Sequence, residues 1–155
     1  MEQIVTQPKL YDRDFVAWCE GTVAKLKARN IDELDFESLI SEIEGLANRE
    51  RKELESRLDV LLAHLLKRLY VRNSYDYRGW ENTIRGQRRQ LQILLKHSPS
   101  LRNYLDLVFD DAWQYALSDV RANYPQVQFP EQWQFSRNVE ALLSEELWST
   151  IEDSK

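Results

Sequence analysis

Residues 35–71 contain no proline and a single glycine, Gly45, and their leucines recur at helical spacing. Because proline breaks helices and that spacing places side chains on one face, the segment predicts a long amphipathic helix over about residues 36–71. At 100° per residue, one face of this helix is apolar along its length and is expected to be core. Its members are Phe36, Ile43, Ala47, Leu54, Leu58, Leu61, Leu65 and Leu69. Such a helix needs others to cover it, which indicates a helical bundle.

The amino-acid composition supports an all-α fold. The 155 residues include 22 leucines, 16 isoleucines and valines together, 4 glycines and 4 prolines. Leucine keeps its side-chain freedom in a helix, whereas β-branched residues favour strands. We therefore predict an all-α, single-domain antiparallel helical bundle of four to five helices. Its predicted parts are a flexible N-terminal arm at residues 1–10, one helical domain at 11–150 and a loose tail at 151–155.

Capping residues and helix breakers divide the rest of the chain into shorter helices. Asp12 is the expected N-cap of a first helix that ends near Ala28, and Asp35 is the expected N-cap of the long helix. The polar segment 72–79 is predicted to be a connection. Further helices are predicted at about residues 80–97, 99–123 and 136–147, with Trp148 as an apolar anchor after the last of them.

The sequence carries no pattern typical of a membrane protein, a secreted protein or a metal centre. No apolar run approaches the roughly 20 residues of a membrane span, and the N-terminus lacks a signal-peptide pattern. Cys19 is the single cysteine, and a lone thiol is typical of a reducing compartment. Together these features predict a soluble cytoplasmic protein without membrane contact. Glu42, Glu53 and His64 share a stripe, but successive members lie roughly 16 Å apart along a helix, too far for one ion. No catalytic residue, metal or cofactor is predicted.

Basic residues are concentrated in one part of the chain. Residues 60–105 carry nine Lys or Arg and two acids, a net charge of +7, and the remainder carries −12. This asymmetry indicates either basic helices packed against acidic ones or a positive surface for an anionic partner. Arg85, Arg89 and Lys96 are predicted to share the exposed side of one helix, and Arg78 lies near them in the preceding connection with Tyr75 and Tyr77. The candidate partner or anion surface consists of Arg78, Arg85, Arg89 and Lys96.

A second set of side chains is the candidate for a groove beside the leucine face. It comprises Arg57, His64, Lys67, Arg68, Trp80 and Arg88. A histidine there acts as a proton shuttle or, in the alternative interpretation, bonds to a carboxylate or backbone oxygen where two helices meet. Trp80 is either a core anchor or a platform for base stacking. A site built across helices around His64 stays open.

Three blocks of the sequence resemble a known bacterial family. They are LISEIEGLANRERKELESRLDVLLAHLLK, WENTIRGQRRQLQILL and SPSL. With them, the chain resembles the largely cyanobacterial family named domain of unknown function 29 over nearly its whole length. It departs from the family pattern at Ser41 and in the link at residues 123–128. The resemblance implies an all-helical fold and no assigned biochemical activity.

Three functions fit these observations. The first is a non-enzymatic helical module for protein–protein interaction or regulation, which self-associates or docks a protein partner. The exposed charged stretch 48–57, the segregated charge and the five tryptophans favour it. The alternative is a nucleic-acid-binding module that uses the basic face of residues 78–96. The third is an enzyme with a cross-helix site near His64.

Overall fold

The chain folds into helices in the part that the computed structural model describes, residues 8–152, with side chains described as far as Ser149. These residues form seven α-helices and one 3-10 turn, Ile31–Glu33, and contain no strand. The helices are α1 Leu10–Arg13, α2 Phe15–Lys27, α3 Phe36–Tyr70, α4 Ser74–His97, α5 Leu101–Asn123, α6 Val139–Ser144 and α7 Leu147–Glu152. The prediction of an all-α helical bundle is confirmed. Residues 1–7 of the predicted arm and 153–155 of the predicted tail lie outside the described range.

The long helix predicted over residues 36–71 is confirmed as α3, which continues without interruption past Gly45. Asp35 precedes it as expected. Its carboxylate accepts hydrogen bonds from the Ser38 hydroxyl at 2.6 Å and from the Ser38 backbone N–H at 3.2 Å. These two bonds stabilise the charged carboxylate and hold the pKa of Asp35 below its usual value. The cap thus satisfies a backbone donor that the first turn of α3 leaves unpaired.

The prediction of Asp12 as an N-cap is wrong. Asp12 lies inside the short helix α1, and the cap of α2 is Asp14, whose carboxylate accepts a hydrogen bond from the Ala17 N–H at 3.1 Å. Asp14 has the extended backbone that a cap needs, which separates the two helices. Both aspartates fit the cap pattern in sequence, so the backbone conformation decides between them.

The predicted connection at residues 72–79 is also wrong, because α4 begins at Ser74. No proline or glycine lies between Ser74 and Arg78, and Gly79 is accommodated inside the helix. The Asn73 side chain, just before α4, donates to the carboxylate of Asp76 at 2.6 Å. The end of α5 at Asn123 agrees with the prediction.

The last predicted helix, 136–147, is divided in the structure into α6 and α7. Asn138 caps α6: its side-chain oxygen accepts hydrogen bonds from the N–H groups of Glu140 at 3.0 Å and Ala141 at 3.3 Å. The chain becomes extended again at Glu145, which ends α6 before Leu147 begins α7. The cap at Asn138 therefore starts the helix three residues later than the apolar pattern suggests.

Two compact units divide the chain, residues 1–48 and residues 49–155. The second unit contains the hydrophobic core, whose members all lie between Leu54 and Leu147 and come from the second half of α3 and from α4, α5, α6 and α7. In the first unit, Trp18 and Leu34 are the buried apolar side chains among residues 8–48. Tyr11 packs edge-on against Trp18 and donates its hydroxyl to Glu42 at 2.7 Å.

The expectation that the whole apolar face of α3 is core holds for only part of the helix. Leu54, Leu58, Leu61 and Leu65 are fully buried, and Leu69 is buried. In contrast, Phe36 is 51% exposed, Ile43 is 58% exposed and Ala47 is exposed. The prediction is therefore wrong for the first third of α3, because no helix within residues 8–152 buries those side chains.

Candidate interaction surfaces

A row of large apolar side chains is exposed on the first part of α3. Phe36 is 51%, Ile40 55%, Ile43 58% and Leu46 53% exposed. At 100° per residue these four side chains fall within a third of the helix circumference, so they form one stripe rather than scattered positions. We refer to these four residues as the α3 apolar face. The sequence pattern assigned Phe36 and Ile43 to the core and did not include Ile40 or Leu46.

The charged side chains within residues 36–48, the segment of α3 that carries the apolar face, are all negative. Glu37, Glu42 and Glu44 are the charged side chains of residues 36–48, which contain no lysine or arginine. Glu42 is engaged by the hydroxyl of Tyr11, and Glu37 is 3.2 Å from the amine of Lys9. That amine, between Glu37 and Asp35, has a raised pKa. An apolar stripe with acidic edges is suited to a partner with an apolar stripe and basic edges.

The helix α2 exposes a second group of apolar side chains that sequence reasoning missed. Phe15 is 45%, Val16 65%, Val23 47% and Leu26 37% exposed. Trp18 of the same helix is buried. No local pattern marks these positions as exposed, because burial depends on which helix packs against α2.

The four residues of the candidate anion surface are brought together on one side of α4. Arg78, Arg85, Arg89 and Lys96 are all exposed, and we call them the α4 basic stripe. Among the described residues, none of the four has an acidic partner within ion-pair distance; Arg85 donates instead to the neutral side chain of Asn82 at 2.8 Å.

Other basic residues of the same segment are paired with acids. Arg68 bonds to Glu81 at 2.8 Å, and Arg102 bonds to Glu140 at 2.6 Å. The structure therefore divides the basic residues of this segment into paired and exposed ones. Charge pairing accounts for Arg68 and Arg102, and the α4 basic stripe faces solvent.

A cavity of about 620 Å³ lies beside this stripe, between α4 and the segment that contains α6 and the start of α7. Its lining includes Arg85, Arg88, Arg89, Gln92, Leu143 and Trp148. Of the six candidate groove residues, Arg88 alone lines it. The structure therefore does not assemble the predicted groove at this cavity.

Arg88 has a structural role, because its guanidinium binds backbone carbonyls. Its Nε donates to the Leu142 carbonyl at 2.9 Å and its Nη2 donates to the Glu145 carbonyl at 2.7 Å. Gln92 donates to the adjacent Leu143 carbonyl at 3.1 Å. These bonds satisfy carbonyls that the end of α6 leaves unpaired, and burial lowers the pKa of the Arg88 guanidinium.

Arg68 and Trp80 are also structural. The Arg68 guanidinium lies 3.9 Å from the ring centre of Tyr77 and 5.1 Å from that of Trp148. With Glu81 as its ion-pair partner, this buried cation links α3, α4 and α7. Trp80 is buried in the core and packs edge-on against Tyr124, which supports its interpretation as an anchor.

The remaining candidate groove residues lie along α3. Arg57 is bonded to Glu53 at 3.0 Å and to Gln87 at 3.3 Å. His64 is half-buried, and its Nδ1 donates to the Val60 carbonyl at 2.8 Å. Burial lowers the pKa of this imidazole, and the positive charge of Lys67 acts in the same direction. Bonding to a backbone oxygen of its own helix supports the structural interpretation of His64.

The described part of the chain has neither a metal-binding cluster nor a membrane-spanning helix. Among residues 8–152, no three His, Cys, Asp or Glu side chains are grouped in a way that could hold a metal ion. In the same residues, no helix is both long enough and apolar enough to cross a membrane.

Comparison with known proteins identifies one relationship. The family model described as "Domain of unknown function DUF29" matches residues 10–148. The match confirms the resemblance that the three sequence blocks indicated. No curated protein and no solved structure matches the chain.

Proposed function

The chain belongs to the family described as domain of unknown function DUF29, and we propose that it is a helical protein-interaction module that binds a partner helix on the α3 apolar face. The observation that carries this proposal is the exposure of Phe36, Ile40, Ile43 and Leu46, each more than half exposed on one side of a helix. The proposal retains the first of the three sequence-based hypotheses and gives it a location.

The exposed apolar area is in the range of an interaction site. Half of each of four large side chains amounts to roughly 400 Å², comparable to the largest patch that a typical monomer exposes. A standard interface buries about 800 Å² on each partner. The α3 apolar face alone is therefore at the small end of interface sizes, which favours a transient complex rather than a permanent one.

The charges at the edges of the face select the partner. Glu37 and Glu44 lie on one side of the apolar stripe and Glu42 on the other. A partner helix with acidic edges would be repelled, and one with lysine or arginine edges would be attracted. The partner is thus an amphipathic helix with an apolar stripe and basic edges.

A synthetic peptide tests the proposal. We expect the full chain to bind a labelled amphipathic helix of about 20 residues that carries a leucine stripe flanked by lysines, and to bind its glutamate-flanked counterpart at least tenfold more weakly. Fluorescence anisotropy gives both affinities. The variant Ile40→Ser with Ile43→Ser should weaken binding of the lysine peptide at least tenfold, since it makes the stripe polar.

Leu107→Ser is the matched control for this variant. Leu107 is 78% exposed on α5 in the second unit, so the control removes an exposed apolar side chain outside the face. Circular dichroism confirms that all variants retain their helices. The proposal is contradicted if the control weakens binding as much as the double variant, or if both peptides bind equally well.

Nucleic-acid binding is the second candidate function, and the exposure of the α4 basic stripe favours it. The stripe extends over 19 residues from Arg78 to Lys96, about 27 Å along the helix axis. Tyr75, at the start of α4, is 92% exposed and could stack on a base. Against it, the chain has a net charge of −5.

Titration with labelled single-stranded DNA and RNA of about 20 nucleotides tests this candidate. Binding through the stripe should weaken as salt is raised from about 50 to 150 mM, because phosphate contacts release counterions. Arg85→Glu with Arg89→Glu should abolish it. Binding that this variant leaves unchanged would exclude the stripe as the site.

A further inference from the structure

The outward side of α4 carries two glycines that the fold of one chain does not explain. Gly79 and Gly86 are exposed in the interior of the helix, and a Cβ atom added at either would meet nothing within 4 Å. Glycine destabilises a helix relative to alanine. Glycine at these positions is useful where a second backbone approaches the helix closely.

Apolar groups lie on the same side of α4 as the glycines. Ile93 follows Gly86 by seven residues, as Gly86 follows Gly79, and it is 50% exposed. Tyr75 falls beside this line and is 92% exposed. Positions seven apart share a helix face, so α4 presents a shallow line of small and apolar groups next to the α4 basic stripe.

The charges on α3 and α4 have the same spacing. Glu37 and Glu44 are seven residues apart on one edge of the α3 apolar face. On α4, Arg78 precedes Arg85 by seven residues, and Arg89 precedes Lys96 by seven. When two helices pack in parallel, residues that repeat every seven positions on one edge meet the opposite edge of the partner.

The sides on which the acidic edge of α3 and the basic edge of α4 lie also agree with parallel packing of the two helices. Angles around both helices are given as seen along the chain direction, at 100° per residue. On α3, Glu37 and Glu44 lie about 100° to one side of the apolar face. On α4, the basic stripe lies about 75° to the opposite side of the Gly79–Gly86–Ile93 line. A parallel pair of helices brings these two edges together. Acidic groups would then meet arginine and lysine while the apolar lines face each other.

We infer that the partner helix bound by the α3 apolar face is α4 of a second copy of this chain. The inference rests on the proposed function and adds the identity of the partner. α4 has an apolar line with a basic edge on one side, the side that would face Glu37 and Glu44 in a parallel pair. The net charges of the two units are also compatible with this contact. Residues 1–48 carry 5 basic and 10 acidic side chains, whereas residues 49–155 carry 16 of each. The acidic first unit of one molecule is therefore not repelled by the neutral second unit of another.

The two surfaces differ from each other, so the contact is heterologous and each molecule offers both halves of it. Self-association should therefore increase with protein concentration and decrease with salt. Analytical ultracentrifugation of the full chain between about 10 and 500 μM, at about 50 and 300 mM salt, measures both dependences.

Complementary charge reversals give the decisive experiment. Glu37→Lys with Glu44→Lys, and separately Arg85→Glu with Arg89→Glu, should each weaken self-association at least tenfold. An equal mixture of the two variants should recover association, because each variant keeps the half of the contact that the other has lost, and the lysine edge of one can in addition face the glutamate edge of the other. The control is Asp32→Lys with Glu33→Lys, which makes the same charge change in the 3-10 turn and should leave association unchanged.

The glycines provide an independent readout. Gly79→Ala with Gly86→Ala should raise the melting temperature of the chain and still weaken self-association, since the added methyl groups hold the second helix away. A purely structural role of these positions would not produce a more stable chain that associates less.

Several outcomes overturn the inference. It fails if the wild-type chain remains monomeric over the whole concentration range, if the mixed variants do not associate, or if the arginine variant loses nucleic-acid binding while its self-association is unchanged. Binding of the lysine peptide to the arginine variant is measured separately. If that binding persists while self-association is absent, the docking face is retained and only its assignment to a second copy is wrong.

Discussion

Arg68 and Arg88 are the two arginines that the structure buries, and each has its own means of stabilisation. Arg68 uses an ion pair with Glu81 and the rings of Tyr77 and Trp148. Arg88 uses backbone carbonyls at the end of α6. A buried charge is tolerated only when its donors are satisfied. These contacts come from residues distant in sequence, which is why both arginines resembled groove residues before the structure was known.

We expect Arg68→Ala to lower the free energy of unfolding by about 3 kcal/mol, because it removes one partner of a buried ion pair and leaves Glu81 without it. Chemical denaturation measures the change. Arg72→Ala is the matched control, since Arg72 is exposed just beyond α3, and its effect should stay within about 0.5 kcal/mol. Similar losses in the two variants would show that the enclosure of Arg68 does not contribute to stability.

His64 should make stability depend on pH. Its pKa in the folded chain lies below the ordinary value of 6.5, chiefly because the ring is partly buried. Between those two pKa values the unfolded chain binds more protons, so the free energy of unfolding rises with pH and falls as the pH drops below 6.5. Denaturation at pH 7.5 and 5.5 should show a larger loss for the wild type than for His64→Gln.

His97→Gln is the control for that measurement, because it replaces the exposed histidine at the end of α4 and leaves His64 in place. It should retain the pH dependence of the wild type. If His64→Gln has the same pH dependence as this control, the imidazole of His64 does not contribute to it.

Among the helices, α3 shows most clearly how one sequence pattern serves two purposes. Its apolar stripe is fully buried at Leu58 and Leu65 and about half exposed at Ile43 and Leu46. The residues are similar in both parts, and the periodicity continues through Gly45. The two parts differ in what packs against them. Helices α4, α5, α6 and α7 bury the second half of α3 in the core of the second unit.

Two leucine substitutions in α3 should therefore have different effects. Leu65→Ala removes a side chain with no exposed surface and should lower the free energy of unfolding by about 2–5 kcal/mol through lost burial and a residual cavity. Leu46→Ala, at a side chain that is 53% exposed, should cost less than about 1 kcal/mol. Urea denaturation compares them within one helix, and equal losses would contradict the assignment of Leu46 to an open face.

Across the whole chain, the buried core and the exposed apolar faces belong to different units. The core extends from Leu54 to Leu147, entirely within residues 49–155. Among the described residues of the first unit, the buried apolar side chains are Trp18 and Leu34. The second unit thus has the apolar contacts for independent stability, and the first has surface that a partner could cover.

A fragment comprising residues 49–155 should fold by itself. We expect it to retain helical circular dichroism and a cooperative thermal transition within about 10 °C of that of the full chain, since it keeps every member of the core. The fragment of residues 1–48 is the counterpart and should show little helix on its own. Loss of cooperative unfolding in the longer fragment would mean that the first unit supports the core.

The sequence was sufficient for the fold class, the extent of α3, the cap at Asp35 and the family, because helical periodicity, capping chemistry and family motifs are local properties. It also placed Arg85, Arg89 and Lys96 on the exposed side of one helix, but it left Arg78 in the connection before that helix, whereas α4 begins at Ser74. It did not distinguish Asp12 from Asp14 as a cap, since both have the right side chain and only the backbone conformation differs.

Only the tertiary structure decided which part of the α3 stripe is covered. Periodicity defines an apolar face, but burial depends on whether another helix is present at that position, and that helix comes from elsewhere in the chain. The same holds for Arg68 and Arg88, whose partners lie 13 and 54 to 57 residues away in sequence. A side chain becomes a core residue, a buried ion pair or an open docking face through contacts that no local pattern specifies.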